Sequence, residues 1–428
     1  MANAPERAYV YFQLPQSLEV VTVGYYELST RDGVPVGTFV YNPKYLARAD
    51  AVPLEPFELP MRPGRFETVK LKGIFGALRD ASPDAWGRRI IDKTLRRADL
   101  SEVDYLLNSP EDRAGALSFG RGKESPAPTR QFNQVLSLPT LLQVAAQLSE
   151  AFHDPQVNQA QVQQIVGLVH PGTSLGGARP KNVVEDADGL WVAKFPDIED
   201  RWNNARVEAA MLDLAAECGI RVAYARVETV AGQDVLLVKR FDRTRVDGGY
   251  FRHRMVSGLT LLGAEDTYGD RSKWSYLALA DEVRRRSSQT DKDLEELYRR
   301  MVFNALISNT DDHPRNQAMV APGKQFELSP AYDLTPNPLV SQEKRDLALT
   351  IGTFNRYANR TNLLSEHGRF RLAHETASAI IDHSQKVIAT RWNAVLRARG
   401  VSEAECDLLA MAFNYPGFEL DPKVVLAS

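Results

Sequence analysis

The residues best suited to chemistry form one polar run, NTDDHPRN at 309–316, and a second segment, PAYD at 330–333. Asp311 and Asn316 lie five positions apart, and Asp333 ends the second segment. In magnesium-nucleotide chemistry one carboxylate orients an attacking hydroxyl and accepts its proton, while an amide oxygen and a second carboxylate hold the metal against phosphates. The pattern therefore predicts phosphoryl-group chemistry, although local sequence also fits a helix-to-loop junction capped by Asp and Asn.

Lys194, in the segment WVAKF, is the second candidate. A buried ammonium group is costly unless a negative charge pairs with it. Phosphate oxygens, or Glu208 on the following predicted helix, would supply that charge. Protein kinases use such a Lys–Glu pair, and their catalytic loop carries an Asp and an Asn at the spacing seen here. Alternatively, Lys194 is an edge-strand residue whose ammonium reaches water.

Two further segments could contact a nucleotide. Glycines in GTSLGGARPK at 172–181 would let backbone N–H groups approach phosphates, although this stretch matches neither GxxxxGK[ST] nor GxGxxG. Lys239-Arg240-Phe241 ends a predicted strand, where an adenine would meet the backbone and Phe241 would offer an apolar face or simply join the core. His313 has no second His at ligand spacing, so we expect it to contact phosphate or a metal ligand rather than metal.

The N-terminal elements are predicted from residue types. Residues 8–40 alternate strands with turns, and Arg31-Asp32-Gly33 has the chemistry of a hairpin turn. Four prolines exclude a helix over 53–63. Helices are predicted from Ser82 onward and over 137–152, where apolar residues recur at three- and four-residue spacing.

The C-terminal elements should position the candidate residues. From about residue 168 the predicted order is a Gly-rich loop, two strands, a helix that ends at Gly219, and two more strands. After Asp242 the pattern predicts helices, one of them ending just before the polar run at 309–316. The last residues, 414–428, are predicted to be an extended tail.

Composition excludes several classes of protein. With 428 residues, 43% hydrophobic and 25% charged, the chain is expected to form two or three globular domains. The formal charge of -3 argues against a mainly electrostatic nucleic-acid binder. Cys218 and Cys406 give no disulfide framework or zinc site and should behave as small hydrophobes. Because no signal peptide or membrane-length apolar run is evident, we expect a cytoplasmic protein without a membrane partner.

Six segments, taken in sequence order, resemble the HipA family of bacterial serine/threonine kinases, the toxins of HipBA-type toxin–antitoxin pairs. LPMRPGRFE and ASPDAWGRRIIDK look like the N-terminal domain of the family, and SLGGARPK like its nucleotide loop. WVAKF resembles its ATP-lysine strand, NTDDHPRN its catalytic loop and PAYDLTP its metal-binding segment. The resemblance covers nearly the whole chain.

The resemblance implies a role for each matching position. Asp311 would be the catalytic base, and Asn316 and Asp333 would bind Mg²⁺. Ser174 falls at the autophosphorylation serine, where added negative charge would repel ATP phosphates and switch the kinase off. The implied ATP-binding residues are Gly176, Gly177, Ala178, Arg179, Pro180, Lys181, Lys194, Lys239, Arg240, Phe241, His313, Pro314, Arg315, Asn316 and Tyr332. Glu208, as the partner of Lys194, is taken from kinases generally.

The implied fold class is α+β, with a protein-kinase-like bilobal core and an N-terminal subdomain rich in β-strands and helices. We expect the N-terminal subdomain at 1–125, a nucleotide-binding α/β lobe at 126–243 and an all-helical catalytic lobe at 244–428.

The implied activity is transfer of the ATP γ-phosphate to a Ser or Thr of a protein, by resemblance an aminoacyl-tRNA synthetase, with growth arrest as the consequence. A HipB-like helix-turn-helix antitoxin is the implied partner and would bring DNA only indirectly. Two alternatives stay open: a metal-dependent phosphohydrolase, and a catalytically weak corepressor that acts with the antitoxin.

Overall fold

The structure, a computed structural model, describes residues 6–55, 57–95, 97, 99–109, 111–125, 133–134, 137–153, 179–413 and 415–425. The chain divides into two compact units. Unit 1 comprises Met1–Glu199, Thr229–Val256 and Val320–Lys324, and unit 2 comprises Asp200–Glu228, Ser257–Met319 and Gln325–Ser428. The three predicted domains stay a prediction.

Unit 1 contains a first antiparallel sheet in the order β4-β3-β2-β1-β5. Its strands are β1 (Glu6–Gln13), β2 (Val20–Arg31), β3 (Val34–Tyr41), β4 (Arg65–Thr68) and β5 (Leu117–Gly120). The predicted hairpin turn is confirmed: Asp32 and Gly33 both have positive φ (50° and 79°), as a two-residue turn between twisted strands requires. Alternate residues such as Val10 and Phe12 face a fully buried core.

Short helices of unit 1 accompany this first sheet. They are α1 (Pro43–Leu46), a 3-10 helix (Lys70–Gly73), α2 (Gly76–Asp80), α3 (Ala85–Leu95) and α4 (Glu102–Asn108). Leu78 and Leu106 from these helices join the apolar cluster of β1 to β5. The helix predicted from Ser82 is therefore confirmed as α3, and the Pro-rich stretch before it contains no helix among its described residues.

A second sheet of unit 1 has the order β6-β7-β8-β10-β9. Its strands are β6 (Asn133–Gln134), β7 (Lys181–Asp186), β8 (Gly189–Lys194), β9 (Ala225–Val230) and β10 (Gln233–Lys239). Helix α5 (Leu138–His153) buries Leu141 and Leu142 in one apolar cluster with Trp191 and Leu237 of the sheet. The two predicted strand pairs and the helix at 137–152 are confirmed.

The residues that follow Asp242 differ from the prediction. Instead of helix, the chain forms the hairpin β11 (Arg243–Val246) and β12 (Gly249–Arg252), followed by β13 (Arg254–Ser257). Gly248 and Gly249 take positive φ angles of 81° and 153° at the turn. The Asp-Gly-Gly sequence is a hairpin signal that the helical interpretation overlooked.

Unit 2 is mainly helical. Its helices are α6 (Asn204–Glu217), α7 (Gly258–Leu261), α8 (Tyr276–Arg286), α9 (Thr290–Leu306), α10 (Arg360–Ser365), α11 (His374–Ala398), α12 (Glu403–Leu409) and α13 (Pro422–Val425). Short 3-10 helices lie at Tyr268–Lys273, Pro314–Asn316, His367–Phe370, Ala410–Ala412 and Pro416–Phe418, and a short strand is β15 (Glu327–Leu328). Strand β14 (Ala318–Ala321) is divided between the two units after Met319. Helix α9 packs against α8 and α11, and α11 also packs against α6.

Residues 415–425 are packed rather than extended, which corrects the predicted tail at 414–428 for the part of it that the structure describes. Tyr415 and Phe418 are buried. The side-chain amide of Asn359 donates to the carbonyl oxygens of Gly417 (3.1 Å), Phe418 (2.9 Å) and Leu420 (2.8 Å). The sequence of this segment has no helical or strand periodicity from which its packing could be predicted. Its irregular backbone is instead hydrogen-bonded by the side-chain amide of Asn359, which is distant in sequence.

The predicted α+β class is confirmed, except that short strands interrupt the part predicted as all-helical. Cys218 and Cys406 are buried and not in a disulfide, as expected. Burial raises the pKa of the Cys218 thiol to about 12, so it behaves as a small apolar group. In the part of the chain that is described, every helix is too short or too polar to cross a membrane.

Candidate active site

Helix α9 fixes the start of the polar run. The helix ends at Leu306, and Ser308 then takes a left-handed conformation (φ 57°) that turns the chain. The Asn309 side-chain amide donates to Asn304 Oδ1 at 3.1 Å, and Asn304 is fully buried in the helix. A rigid core element thereby determines where residues 309–316 lie, as their chemistry requires.

Asp311, the predicted base, is solvent-accessible, as a group that meets a substrate hydroxyl must be. Removal of water by the surrounding protein raises the pKa of its carboxyl above the ordinary value, and the negative charges of Asp333 and Asp266 raise this pKa further. The charges of His313 and Arg271 act in the opposite direction. Asp311 is thus tuned towards stronger basicity.

The 3-10 helix Pro314–Asn316 orients the other end of the run. His313 caps it, because its Nδ1 accepts a hydrogen bond from the Arg315 backbone N–H at 3.2 Å. The Asn316 amide nitrogen donates to the Asp311 carbonyl oxygen at 3.4 Å. The donor of the Asn316 side chain is therefore turned towards the loop, and its Oδ1 is the acceptor through which the residue could bind a metal.

A hydrogen bond joins the two predicted segments. The Tyr332 hydroxyl donates to the Arg315 carbonyl oxygen at 2.7 Å, which brings the residue before Asp333 to the residue before Asn316. Asp333 itself has a positive φ of 59°. A non-glycine residue in this conformation is strained, and such strain is concentrated at functional sites.

The residues could hold Mg²⁺. The chemistry of the pair fits the metal, since Asn316 supplies an amide oxygen and Asp333 a carboxylate, both hard oxygen ligands. The effect of the Asp333 charge on Asp311 means that carboxylates are crowded here, and a cation relieves such repulsion. Among the described residues no three His, Cys, Asp or Glu side chains form a metal-ligating group. Two protein ligands suffice for Mg²⁺ because it usually takes its other ligands from water and phosphates.

A buried polar network under the loop was not predicted. The hydroxyl of Tyr276 donates to the carboxylate of Asp312, and the Gln317 amide donates to the same carboxylate at 3.0 Å. The Asn304 amide in turn donates to the Tyr276 hydroxyl at 3.0 Å. Burial raises the pKa of Asp312 to about 7. In the sequence of the loop, only the adjacent pair Asp311 and Asp312 could have pointed to this network, because Tyr276 lies far away in sequence.

The remaining predicted residues of the described chain, apart from Glu208, lie in unit 1. Lys194 is the last residue of β8, opposite Lys181 of β7 and Leu236 of β10, and is half-buried. Lys239 ends β10 with its ammonium 5.8 Å from the centre of the Trp191 ring, and Phe241 is half-buried. The roles of these residues towards a nucleotide stay predictions.

Two of the predicted ATP-binding side chains are engaged inside unit 1. The Lys181 ammonium lies 2.8 Å from the Asp84 carboxylate, and both side chains are buried. Arg240 donates from Nε and Nη2 to Asp242 and from Nη1 and Nη2 to the carbonyl oxygens of Asp112 and Arg113. These side chains therefore have structural partners where the sequence predicts phosphate or adenine contacts, because a buried charge must be paired.

The Gly-rich loop is described only in part. Ser174, Gly176, Gly177 and Ala178 lie outside the described residues. Arg179 is exposed, and the carbonyl oxygen of Pro180 accepts from the Phe195 backbone N–H at 3.0 Å. Glu208 is buried on α6 in unit 2, and its pairing with Lys194 stays a prediction.

Two known proteins that are similar to this chain are named as kinases. A protein of Sinorhizobium fredii, "Putative kinase Y4mE", is 26% identical over 335 residues, which are 73% of this chain and 75% of that protein. A second protein of the same organism, "Putative kinase Y4dM", is 27% identical over 242 residues, 53% of this chain and 55% of the relative.

One solved structure matches almost the whole fold. The HipA chain of a Shewanella oneidensis complex of HipA, HipB and operator DNA is 16% identical, with a TM-score of 0.67 over 98% of this chain and 96% of that chain. This similarity confirms the fold class that the resemblance implied.

Family models match both parts of the sequence. Residues 18–120 match the HipA N-terminal domain, and residues 173–392 match the HipA-like C-terminal domain, which includes the loop around Asp311. The chain belongs to the HipA family.

Proposed function

We propose that this chain is an ATP- and Mg²⁺-dependent protein serine/threonine kinase that acts as the toxin of a type II toxin–antitoxin pair. The observation that carries the proposal is the joining of the two polar segments by the Tyr332–Arg315 hydrogen bond, which sets Asp311, Asn316 and Asp333 in one part of unit 2. A base, an amide oxygen and a second carboxylate are the groups that kinase chemistry needs.

In the proposed reaction, the Asp311 carboxylate orients the hydroxyl of a Ser or Thr and accepts its proton. The hydroxyl oxygen forms a bond to the γ-phosphorus of ATP, and the bond from that phosphorus to the β,γ-bridging oxygen breaks, which releases ADP. Asn316 and Asp333 would hold Mg²⁺, which supplies positive charge against the phosphate oxygens. The raised pKa of Asp311 favours proton uptake during this step.

The nucleotide contacts belong to the proposal as well. Lys194 carries the positive charge proposed for the α- and β-phosphates, with Glu208 as its proposed partner. The glycines at 176 and 177 would cover the phosphates, and the segment 239–241 would meet the adenine with its backbone and with Phe241. Ser174 is the proposed site of autophosphorylation.

The target and the partners are proposed from the family. HipA of Shewanella oneidensis was solved with HipB and operator DNA, and we propose a HipB-like helix-turn-helix antitoxin as the partner of this chain. DNA would then be bound indirectly, which agrees with a net charge of -3. The proposed protein substrate is an aminoacyl-tRNA synthetase, whose phosphorylation would inhibit translation in the cytoplasm.

The test is incubation of the full chain with Mg²⁺ and γ-labelled ATP, alone and with purified aminoacyl-tRNA synthetases, followed by mass spectrometry of Ser174 and of the synthetases. We expect Asp311→Asn to lower the labelling rate by about 10²- to 10⁴-fold, the range for loss of a general base. Asp291→Asn is the matched control, since its side chain is 81% exposed and forms an exposed ion pair with Arg371.

Each alternative function has its own outcome in this experiment. Release of phosphate from ATP without any phosphoprotein would contradict the kinase and support a phosphohydrolase. Absence of both products, together with operator binding in the presence of the antitoxin, would support a corepressor. Equal labelling of the Asp311→Asn and wild-type chains would remove Asp311 as the base.

A further inference from the structure

Unit 2 contains a polar cavity of about 610 Å³ that the proposed reaction does not use. Two arginines and four side chains that can donate hydrogen bonds dominate its lining, which also includes a tyrosine and two glycines. The six polar residues are Arg271, Ser272, Thr350, Thr353, Asn355 and Arg356. None of its lining residues in the described chain carries a carboxylate, so the charge that faces the cavity is positive.

The two arginines are held side by side. Nη2 of Arg356 donates to the backbone carbonyl oxygen of Arg271 at 2.6 Å. Burial lowers the pKa of Arg356, and the positive charge of Arg271 lowers it further. Neighbouring like charges that the fold keeps together are stabilised by an anion that contacts both.

The acidic residues around the arginines have partners of their own. Asp346, whose charge raises the pKa of Arg356, lies 3.7 Å from the ammonium of Lys344. Asp270 lies 2.9 Å from the ammonium of Lys273 and accepts a hydrogen bond from the Glu265 backbone N–H at 2.8 Å. Within the described residues neither cavity arginine forms an ion pair, although the charge of Arg271 also acts on Asp311.

The wall of the cavity is continuous with the support of the catalytic loop. Thr350 donates its N–H to the Trp274 carbonyl oxygen, and its own carbonyl oxygen accepts from the Tyr276 N–H, both at 2.9 Å. The centre of the Trp274 ring lies 6.2 Å from that of His313, and the Tyr276 hydroxyl donates to Asp312. An anion in the cavity would thus lie beside the loop that carries the base.

We propose that this cavity binds an acidic side chain of the protein substrate, a glutamate, an aspartate or a phosphorylated residue near the acceptor hydroxyl. The inference rests on the proposed kinase function and adds a substrate class to it, namely acidic peptide segments. Tyr268, which lines the cavity and is 86% exposed, offers an apolar face for the rest of the segment.

The first test measures binding without nucleotide. The full chain is titrated into fluorescein-labelled peptides in which a central serine is flanked by glutamates, by phosphoserine or by glutamines, and anisotropy is followed. We expect one or both acidic peptides to bind at least tenfold more tightly than the glutamine peptide, and Arg356→Gln to remove that difference. Arg285→Gln is the matched control, because Arg285 is 64% exposed on α8 and does not line the cavity.

A second pair of variants fills the cavity without touching its arginines. A Cβ atom at Gly269 would meet no atom within 4 Å, so this lining position accepts a side chain. Gly269→Glu places a tethered carboxylate there and should weaken acidic-peptide binding at least tenfold, whereas Gly269→Gln should leave the preference for acidic peptides in place.

The outcomes of these tests distinguish failure of the cavity proposal from failure of the proposed kinase function. Equal binding of acidic and glutamine peptides by the wild-type chain would overturn the proposal, as would a preference that survives both Arg356→Gln and Gly269→Glu. Because the binding test contains no ATP, failure of the kinase is seen separately, as the absence of phosphoprotein in the labelling experiment. Faster labelling of the acidic peptides than of the glutamine peptide would support both proposals.

Discussion

The ammonium of Lys181 lies 2.8 Å from the carboxylate of Asp84, and the two side chains are only 3% and 2% exposed. Lys181 is the first residue of β7, and Asp84 directly precedes α3, where its other carboxylate oxygen accepts from the Gly87 backbone N–H at 2.7 Å. Two segments that are 97 residues apart are therefore held together by one buried ion pair. The pair connects the start of strand β7 to the start of helix α3.

Loss of one partner of this pair should strongly destabilise the protein. Lys181→Met leaves the Asp84 charge buried and unpaired, and we expect the free energy of unfolding to fall by about 3–5 kcal/mol. The double variant Lys181→Met/Asp84→Asn should lose less than the sum of the single losses, since no lone charge remains. Urea-induced unfolding measures both values.

An exposed ion pair provides the control for that experiment. Lys273 is 50% exposed and lies 2.9 Å from Asp270, so Lys273→Met should change stability by less than about 1 kcal/mol. If Lys181→Met cost no more than Lys273→Met, the buried pair would not be an important contact in unit 1.

The acidic limb of the kinase pH profile should depend on Asp266. A base must be deprotonated, so kcat/KM should rise as the pH passes through the pKa of Asp311, which its surroundings raise. The Asp266 charge contributes to that rise, and Asp266 also lies 2.8 Å from Arg315. Asp266→Asn should therefore shift the acidic limb to lower pH, because one of the charges that raise the pKa of Asp311 is removed.

The profile is measured as kcat/KM for the labelled substrate across the acidic range. Asp291→Asn, at the exposed position already described, removes the same charge elsewhere in unit 2 and should leave the limb in place. An unmoved limb in Asp266→Asn would mean that this limb does not report Asp311.

The loop was predictable from sequence because its chemistry is contiguous. Asp311 and Asn316 have fixed spacing within one short run, so residue types alone led to the roles proposed for them. Tyr276 and Gln317 support Asp312 through tertiary hydrogen bonds, and nothing in the local sequence of Tyr276 signals that contact. Such hydrogen-bond partners are determined by tertiary packing, and the local sequence pattern carries no information about that packing.

The sequence also did not predict which residues pair with the positively charged side chains of Lys181 and Arg240. Lys181 has the residue type and position of a phosphate-binding lysine, yet its partner is Asp84. Arg240 follows a strand that was predicted correctly, but its guanidinium bonds Asp242 and the carbonyl oxygens of residues 112 and 113. Periodicity predicts elements well, whereas the partner of a buried charge depends on which distant segments meet.

Asn316 should control the effect of magnesium on nucleotide binding. Asn316→Ala removes a proposed oxygen ligand and should weaken ATP binding by about 10- to 100-fold in Mg²⁺ while leaving it unchanged in EDTA. Asn316→Asp retains a ligand oxygen and should keep the difference between the two conditions. Isothermal titration calorimetry of each variant measures the affinities. An equal loss of affinity in Mg²⁺ and in EDTA would indicate that Asn316 affects the fold or the nucleotide rather than the metal.

The titration of Asp312 should lower the free energy of unfolding of the protein as the pH rises. Its pKa is about 7 in the folded protein and near the ordinary 3.8 once unfolded, so folding binds a proton between these values. The stabilisation is present below the unfolded pKa and is lost as the pH rises through about 7. Between pH 5 and pH 8 we expect a loss on the order of 2 kcal/mol that Asp312→Asn, which cannot ionise, does not share.

Urea-induced unfolding at the two pH values tests this expectation, and the difference between the wild type and Asp312→Asn isolates the contribution of Asp312 from other titrating groups. Asp291→Asn serves as the control, since the Asp291 side chain is 81% exposed whereas Asp312 is buried and bonded to Tyr276 and Gln317. If wild type and Asp312→Asn lost the same stability between pH 5 and pH 8, Asp312 would be ionised in the folded protein throughout. The polar network under the loop at 309–316 would then hold a charge rather than a neutral acid.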